Sequence, residues 1–253
     1  MELTVDEEHL GQPESVWKAS GRHLELEPLT WLPSRRVIVV APHPDDEVLG
    51  VGGLIQAALI RRIPVKIVAV TDGEGSHPQS HAPMRFDLAS VRFLESHLAL
   101  RRLGWEEPEI TQLHLPDSKV AQQRVRLDEA LEAILKPGDL CVAPWRRDGH
   151  PDHDACGEAA MLASHRVGAR SIAYLVWAWH WADPEGSDIP WDHCRRLDLT
   201  RRERARKRWS TEAFRSQTQP LGPEVEDAPV LPSPLMRRFW RTYEVYVDEA
   251  ART

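Results

Sequence analysis

The feature that most constrains this chain is a short apolar run that ends abruptly in a charged turn. Residues 36–41, Arg-Val-Ile-Val-Val-Ala, are rich in β-branched side chains and predict a buried β-strand. Residues 42–47, Pro-His-Pro-Asp-Asp-Glu, then bring one imidazole and three carboxylates together. Residues 48–60 open with a glycine-rich segment and continue as an apolar stretch, which predicts a helix. The charged residues therefore lie where a strand passes into a helix, and in open α/β sheets ligands bind at this carboxyl edge.

A second strand–loop–helix unit, far along the chain, carries a similar charged loop. Residues 139–145 predict a strand, residues 146–154 (Arg-Arg-Asp-Gly-His-Pro-Asp-His-Asp) a polar loop, and residues 155–167 a helix. If the two strands are neighbours in a parallel sheet, their loops meet at one edge. The loops then offer imidazoles and carboxylates together, from His43, His150, His153, Asp45, Asp46, Asp152 and Asp154.

These side chains predict a catalytic metal site. Two histidines and one carboxylate with open coordination positions suit zinc or a similar divalent ion. Neither loop contains cysteine, which argues against a closed structural zinc site. A tight turn would account for the prolines, but not for so many charged groups. The residues alone do not decide which of the adjacent Asp45 and Asp46 binds the metal.

Strand-like and helix-like segments alternate around the two loops. Residues 64–71 and 110–115 predict strands, and residues 85–103 and 120–135 predict helices. The alternation continues to Val167, and it predicts an α/β fold in which helices cover both faces of a mostly parallel sheet.

The pattern changes after Val167. Residues 171–181 predict a long strand, and residues 239–247 predict a final strand at the edge of the sheet. The basic run at residues 201–208 could bind nucleic acid or form a solvated helix face. We favour the helix face, because helical spacing spreads these charges around the axis and stacking aromatic residues are almost absent.

The two charged loops resemble those of a known family. Ala-Pro-His-Pro-Asp-Asp-Glu at residues 41–47, with His-Pro-Asp-His at residues 150–153, is similar to the PIG-L/LmbE-like zinc-dependent N-deacetylases. Supporting similarities lie at residues 52–53, 70–75, 92–95, 103–104 and 216–217. The resemblance implies a Rossmann-like, three-layer α/β/α fold whose active site lies at the carboxyl edge of the strands.

The resemblance also implies a division of the chain. One deacetylase domain would occupy residues 35–253, and residues 171–253 would complete its pocket. Residues 1–34 would form an N-terminal extension that wraps the domain, forms an interface or stays partly disordered.

A role for each site residue follows from the resemblance. His43, Asp46 and His153 would hold zinc, with ferrous iron as an alternative, and Asp45 would take the proton of the attacking water. His150 would hydrogen-bond to the developing oxyanion, most effectively as an imidazolium. Asp152 would orient or charge His150. The implied reaction removes an acetyl (acyl) group from the amide nitrogen of an N-acetylated amino sugar or its glycoconjugate.

Other residues have two interpretations each. Arg92 and Glu95 share a helix face and could form a surface ion pair, although the resemblance favours Arg92 as a substrate-binding residue. His77 and His81 could reach the pocket, but a polar surface loop is the favoured interpretation. The tryptophans of residues 177–191 could stack on a sugar ring, with Trp179 and His180 best placed, or could belong to the core.

Composition excludes several function classes. The chain carries 32 basic and 39 acidic residues, which gives no general attraction to nucleic acid or to anionic membranes. Its three cysteines lack metal-binding or redox spacing, and neither a signal peptide nor an apolar run of membrane-spanning length is present. We therefore expect a soluble, cytoplasmic protein that acts on a small molecule; the oligomeric state is not predicted.

Two other functions stay open at this point. The chain could be a metal-dependent hydrolase of an ester or a phosphoester, although two-metal phosphatases need more bridging carboxylates. It could instead be a non-catalytic sugar-binding relative, but binding alone requires neither Asp45 as a spare base nor His150 as an oxyanion donor.

Overall fold

The protein was analysed as a computed structural model that describes residues 11–29 and 35–248. One sheet of eight strands runs through the described residues, in the order β1-β7-β8-β6-β5-β2-β3-β4. The strands are β1 (Glu27–Pro28), β2 (Val37–Ala41), β3 (Val65–Thr71), β4 (Ile110–Leu115), β5 (Leu140–Pro144), β6 (Arg170–Tyr174), β7 (Cys194–Asp198) and β8 (Tyr243–Val247). Strand β8 is antiparallel to both of its neighbours, and all other pairs are parallel.

Helices lie between almost all of these strands. They are α1 (Glu14–Ser20), α2 (Arg22–Glu25), α3 (Asp46–Leu49), α4 (Gly52–Ile60), α5 (Leu88–Leu103), α6 (Arg124–Ile134), α7 (Pro151–Val167), α8 (Ala178–Trp181), α9 (Arg201–Thr211), α10 (Arg215–Thr218) and α11 (Ser233–Met236). None of the described helices is long and apolar enough to cross a membrane.

Strand β2 shows why the sheet forms the middle of three layers. All five of its residues are buried, because both faces of the strand are covered. Val37 and Val39 pack on the side of helices α4 and α5, whereas Ile38 and Val40 pack on the side of α6 and α7. The predicted three-layer α/β/α fold with a mostly parallel sheet is thus confirmed.

The predicted boundary of one helix was wrong, and this changes the site. Helix α7 begins at Pro151, not at residue 155. Pro151 occupies the first helical position, where its missing N–H is not needed, and the His150 side chain caps the helix by accepting the backbone N–H of Asp152. Asp152 and His153 therefore lie on the rigid first turn of a helix.

The predicted strand at residues 171–181 was also partly wrong. Strand β6 ends at Tyr174, and the chain then turns into the short helix α8. The carboxylate of Asp148 causes this turn, because it accepts the backbone N–H groups of Val176, Trp177 and Ala178 at 2.9–3.0 Å. Apolar composition alone could not reveal that a distant carboxylate would bind this backbone.

The final strand does not lie at the edge of the sheet, where we expected it. Strand β8 is inserted between β6 and β7, and β1 and β4 form the edges among the described strands. Within the N-terminal segment, β1 pairs with β7 and Trp17 is buried in the core. Residues 1–10 and 30–34 lie outside the described residues, and the division of the chain at residue 35 stays a prediction.

A buried ion pair fixes the start of helix α4 against strand β8. The carboxylate of Glu244 accepts the backbone N–H groups of Gly53 and Leu54, the hydroxyl of Tyr246, and the ammonium of Lys207 at 2.5 Å. Lys207 belongs to the basic run, which forms helix α9. Most of that run faces outwards, as the solvated-face interpretation requires, but Lys207 is 2% exposed.

We predict that Lys207→Met lowers the free energy of unfolding by about 3 kcal/mol or more, because Glu244 is left as an uncompensated buried charge. Chemical denaturation measures this change. Lys66→Met is the control: Lys66 pairs with Glu109, which is largely exposed, and such pairs contribute less than about 1 kcal/mol. Equal losses of stability in Lys207→Met and Lys66→Met would show that Lys207 does not compensate a buried charge on Glu244.

Candidate active site

The two predicted charged loops meet at the carboxyl edge of neighbouring strands. Strand β2 pairs with both β3 and β5, so the turns after these strands lie side by side. A cavity of about 210 Å³ opens there, and its polar lining residues are His43, Asp45, Asp46, Ser76, Arg92, Asp117, Ser118, His150, His180 and Gln217. The edge that the sequence predicted as the ligand site is therefore also the edge that carries the cavity.

Three side chains of the predicted ligand set converge on one point. The distances are 3.2 Å from His153 Nε2 to Asp46 Oδ2, 3.4 Å from His43 Nδ1 to Asp46 Oδ2, and 3.3 Å between His43 Nδ1 and His153 Nε2. Zinc with ligands at about 2.0–2.1 Å in tetrahedral geometry keeps those ligand atoms about 3.3–3.4 Å apart. The donor set thus fits a divalent ion in chemistry and in spacing.

Two other groups of side chains could also hold a metal. Ring nitrogens of His43, His150 and His153 lie within 4.8 Å of one another, and so do ligand atoms of His43, Asp117 and Asp152. We favour the triangle with Asp46, because its edges are shorter and match tetrahedral coordination. In this triangle the second ring nitrogen of His43 and that of His153 are both available to hydrogen-bond to a carboxylate.

Each of the two rings has such a carboxylate on its far side. His43 Nε2 lies 3.3 Å from Asp152 and 3.4 Å from Asp117, and His153 Nδ1 lies 2.9 Å from the fully buried Asp148. Metal-binding histidines are oriented by such partners, which fix the tautomer and raise the basicity of the ligating nitrogen. The surroundings of both rings are therefore those of metal ligands.

Sequence reasoning missed Asp117 and Asp148. Asp148 stands in the second charged loop, and Asp117 follows strand β4 at the same edge of the sheet, so their positions carried a signal. The expected role of Asp152 differs from its contacts. Its carboxylate contacts His43 and the backbone N–H groups of Ser118 and Val120, and it reaches His150 only through its own N–H.

The charges within the cluster shift its protonation. Burial disfavours the imidazolium of His43, but hydrogen bonds to Asp117, Asp152 and Asp46 outweigh this and raise its pKa well above the ordinary value. For His153, Asp46 and Asp148 likewise outweigh burial and raise the pKa to about 9. The carboxylates around these two rings therefore favour positive charge at this position.

Asp45 is held in a strained backbone conformation beside the triangle. Its φ angle is +141°, a region that residues with a side chain rarely adopt, and its backbone N–H donates to Glu47 Oε2 at 2.9 Å. Burial, followed by the charges of Asp46 and Glu47, raises the pKa of Asp45 well above its usual range. Glu47 is buried in the first turn of α3, and its carboxylate helps to hold the backbone of Asp45.

His150 faces the same cavity in a defined tautomer. Its Nδ1 accepts the backbone N–H of Asp152 at 3.2 Å, which leaves the ring hydrogen on Nε2. Burial, followed by the charges of His43 and His153, lowers its pKa to about 4. The lowered pKa and the capping contact favour a neutral ring that donates from Nε2–H, in place of the expected imidazolium.

Arg92 is buried and lies against the cavity. Its guanidinium donates to the carbonyl of Gly73, to Ser76 Oγ at 2.8 Å and to Ser216 Oγ at 3.4 Å. Glu95 instead accepts the backbone N–H and the hydroxyl of Ser216. The surface ion pair between Arg92 and Glu95 is thus excluded, and the cavity contact is consistent with the predicted substrate-binding role.

Of the two interpretations of the aromatic segment, different residues fit each one. Trp179 is 6% exposed and packs edge-on against Trp17 in the core, with ring centroids 4.9 Å apart. Trp177 lines the cavity instead and stacks on His150 at 5.3 Å, and His180 lines the cavity as expected. His77 is buried and contacts Ser76 and the carbonyl of Ala228, so it is part of the structure of the loop.

Residues 38–164, half of the chain, match the family described as PIG-L: GlcNAc-PI de-N-acetylase. The chain belongs to this family. The matched region contains both charged loops, as the resemblance implied.

Two similar proteins show how far the likeness extends. The chain is 33% identical over 138 residues to the probable N-acetyl-alpha-D-glucosaminyl L-malate deacetylase 2 of Bacillus subtilis (strain 168); the match covers 51% of this chain and 61% of that protein. A deacetylase triple mutant from the teicoplanin biosynthetic pathway superposes with a TM-score of 0.62 at 20% identity, over 84% of this chain and 96% of that one.

The fold alone does not decide the chemistry. The 4-carboxy-2-hydroxymuconate hydratase of Pseudomonas putida KT2440 superposes with a TM-score of 0.55 at 15% identity, over 81% of this chain and 82% of that one. A deacetylase and a hydratase thus share this architecture, and the activity has to be argued from the residues of the site.

We predict that His150 stays neutral, with its hydrogen on Nε2, at every pH above about 5. Its pKa of about 4 places the loss of the proton well below neutrality, and capping of α7 fixes the tautomer. Nitrogen NMR of the histidine rings measures both properties. A titration midpoint near the ordinary value, or a hydrogen on Nδ1 at pH 7, would show that the capping contact is wrong.

Proposed function

We propose that the protein is a metal-dependent hydrolase that removes an acetyl group, or more broadly an acyl group, from the amide nitrogen of an N-acetylated amino sugar or its glycoconjugate. His43, Asp46 and His153 hold the ion, which is zinc or, alternatively, ferrous iron. The observation that carries this proposal is the triangle of ligand atoms 3.2–3.4 Å apart, with the unliganded Asp45 and the donor His150 at the same cavity.

The similar proteins support the same bond and the same kind of substrate. The family description and the Bacillus subtilis relative both name the removal of an acetyl group from an N-acetylglucosaminyl compound. The match spans 61% of that relative, and the groups attached to the sugar differ between the two descriptions. The amino sugar is therefore the shared part of the substrate that we carry over to this chain.

Amide hydrolysis requires an activated water, a stabilised oxyanion and a proton for the leaving amine. A bound divalent ion polarises the carbonyl and lowers the pKa of water to near 7. Asp45 takes the proton of the attacking water, and its raised pKa suits this role as a general base. Asp45 then delivers the proton to the amine, whose expulsion completes cleavage of the C–N bond.

His150 stabilises the developing charge on the carbonyl oxygen. Its Nε2–H donates a hydrogen bond to that oxygen, and the capped position at the start of α7 holds the ring in place while the charge forms. Asp152 and Asp148 keep His43 and His153 oriented from behind. Arg92 is placed to bind the sugar hydroxyls, since it lies buried against the cavity.

The adjacent aspartates give a matched pair of variants. We predict that Asp45→Asn keeps about one zinc per chain and lowers kcat by about 10²-fold or more, because the base is lost while the ligands stay. Asp46→Asn instead loses most of the zinc, because a charged ligand is removed. Elemental analysis and acetate release from an N-acetylglucosamine glycoside, on the same samples, measure both. Loss of zinc in Asp45→Asn with retention in Asp46→Asn would reverse the two roles.

A further inference from the structure

The cavity beside the candidate metal site has a large apolar lining in addition to its polar residues. Six apolar side chains contribute to it, namely Leu49, Val176, Trp177, Val230, Leu231 and Leu235. They come from the end of α3, from the turn before α8, and from the segment around α11. None of these side chains is required for cleavage of an amide.

This apolar lining faces the cavity and is fixed in position. Trp177 and Val230 keep 41% and 36% of their surface exposed, so they are available for contact. The backbone N–H of Leu231 donates to the carbonyl of the buried Gln217 at 2.8 Å, which anchors the segment at the cavity. A sugar ring can stack on Trp177, but its hydroxyls do not match the further aliphatic surface that Val230, Leu231 and Leu235 provide. Apolar lining around a few polar groups is typical of sites for ligands with an apolar part.

The charges of the lining do not favour an anionic group. Among the described residues that line the cavity, Arg92 is the one with a permanent positive charge, and carboxylates of Asp45, Asp46 and Asp117 oppose it. The guanidinium of Arg92 is already engaged, because it donates to the carbonyl of Gly73 and to the hydroxyls of Ser76 and Ser216. His180 adds no charge, because burial and then Arg238 and Arg241 lower its pKa to about 3. A malate group at the sugar would therefore find one permanent cation in the lining, and that cation already has protein partners.

We propose that the substrate carries an uncharged apolar group next to the amide-bearing sugar, and that Val230, Leu231 and Leu235 contact it. This inference rests on the proposed function and narrows its substrate class. The apolar group is either the aglycone of an N-acetylglucosamine glycoside or an N-acyl chain longer than acetyl. In both cases the reaction is the same hydrolysis, in which water adds to the carbonyl carbon, the C–N bond breaks, and acid and amine are released.

The test compares substrates that differ only in the attached group. The zinc-loaded protein is assayed for released amine with the methyl, n-octyl and L-malyl glycosides of N-acetylglucosamine, and with the methyl glycoside of N-octanoylglucosamine. We expect kcat/KM for the octyl glycoside or for the octanoyl amide to exceed that of the methyl N-acetyl glycoside by about tenfold or more. If kcat/KM rises for the octyl glycoside, the apolar group is the aglycone. If kcat/KM rises for the octanoyl amide, the apolar group is the N-acyl chain. We expect the malyl glycoside to show no gain.

Substitutions in the apolar lining provide the second arm. In Leu231→Ser, kcat/KM for the apolar substrate should lie within about threefold of that for the methyl N-acetyl glycoside, because removal of buried apolar contact costs affinity. Val230→Ser tests the same wall if Leu231→Ser does not fold, because Val230 is more exposed. Leu94→Ser is the control, since Leu94 is 66% exposed and is not among the residues lining the cavity. This variant should leave the gain unchanged.

The outcomes separate this inference from the proposed function. No amine from any of the four compounds would overturn the proposed function itself. The proposed function would stand, but the proposal of an apolar group would be overturned, by either of two results. In one, amine is released but kcat/KM for both apolar substrates exceeds that of the methyl N-acetyl glycoside by less than about tenfold. In the other, the malyl glycoside is the best substrate. If the increase in kcat/KM for the apolar substrate persists in both Leu231→Ser and Val230→Ser, these side chains do not form the surface that contacts the apolar group.

Discussion

The structure of the site depends on carboxylates that are buried at one edge of the sheet. Asp46, Asp148 and Asp152 are each at most 2% exposed, and a buried carboxylate is costly unless it is paired and hydrogen-bonded. Their partners are the rings of His43 and His153 and several backbone N–H groups. The rings are thus fixed from behind while their other nitrogens point at one common position. A cation at that position offsets the excess negative charge.

The same buried charges connect the candidate metal site to the wall of the cavity. Asp148 binds His153 and also the backbone of residues 176–178, so the loop that carries Trp177 is tied to a candidate ligand. Asp152 binds His43 together with the backbone after strand β4, which brings Asp117 to the same ring. The reacting groups and the substrate-contacting wall therefore share one rigid set of hydrogen bonds, which suits catalysis that depends on fixed geometry.

The sequence was sufficient to predict most of the architecture, because apolar runs and helical spacing are local signals. Strand β2, the parallel sheet and the convergence of both charged loops followed from them. Non-local contacts were beyond such reasoning. The turn after Tyr174 depends on Asp148, the insertion of β8 depends on pairing with two distant strands, and Trp177 rather than Trp179 reaches the cavity because of that turn. Likewise, the neutral state of His150 follows from its capping contact and from the neighbouring rings.

In the proposed function, this site hydrolyses the amide of an N-acetylated amino sugar with the help of a bound divalent ion. The most direct measurement is acetate release from a neutral N-acetylglucosamine glycoside, with metal content determined on the same sample, before chelation, after chelation and after reloading with zinc. We expect chelation to remove about one metal per chain and to abolish acetate release, and one equivalent of zinc to restore acetate release. Acetate release that survives complete removal of the metal, or none from the zinc-loaded protein, would contradict the proposed function.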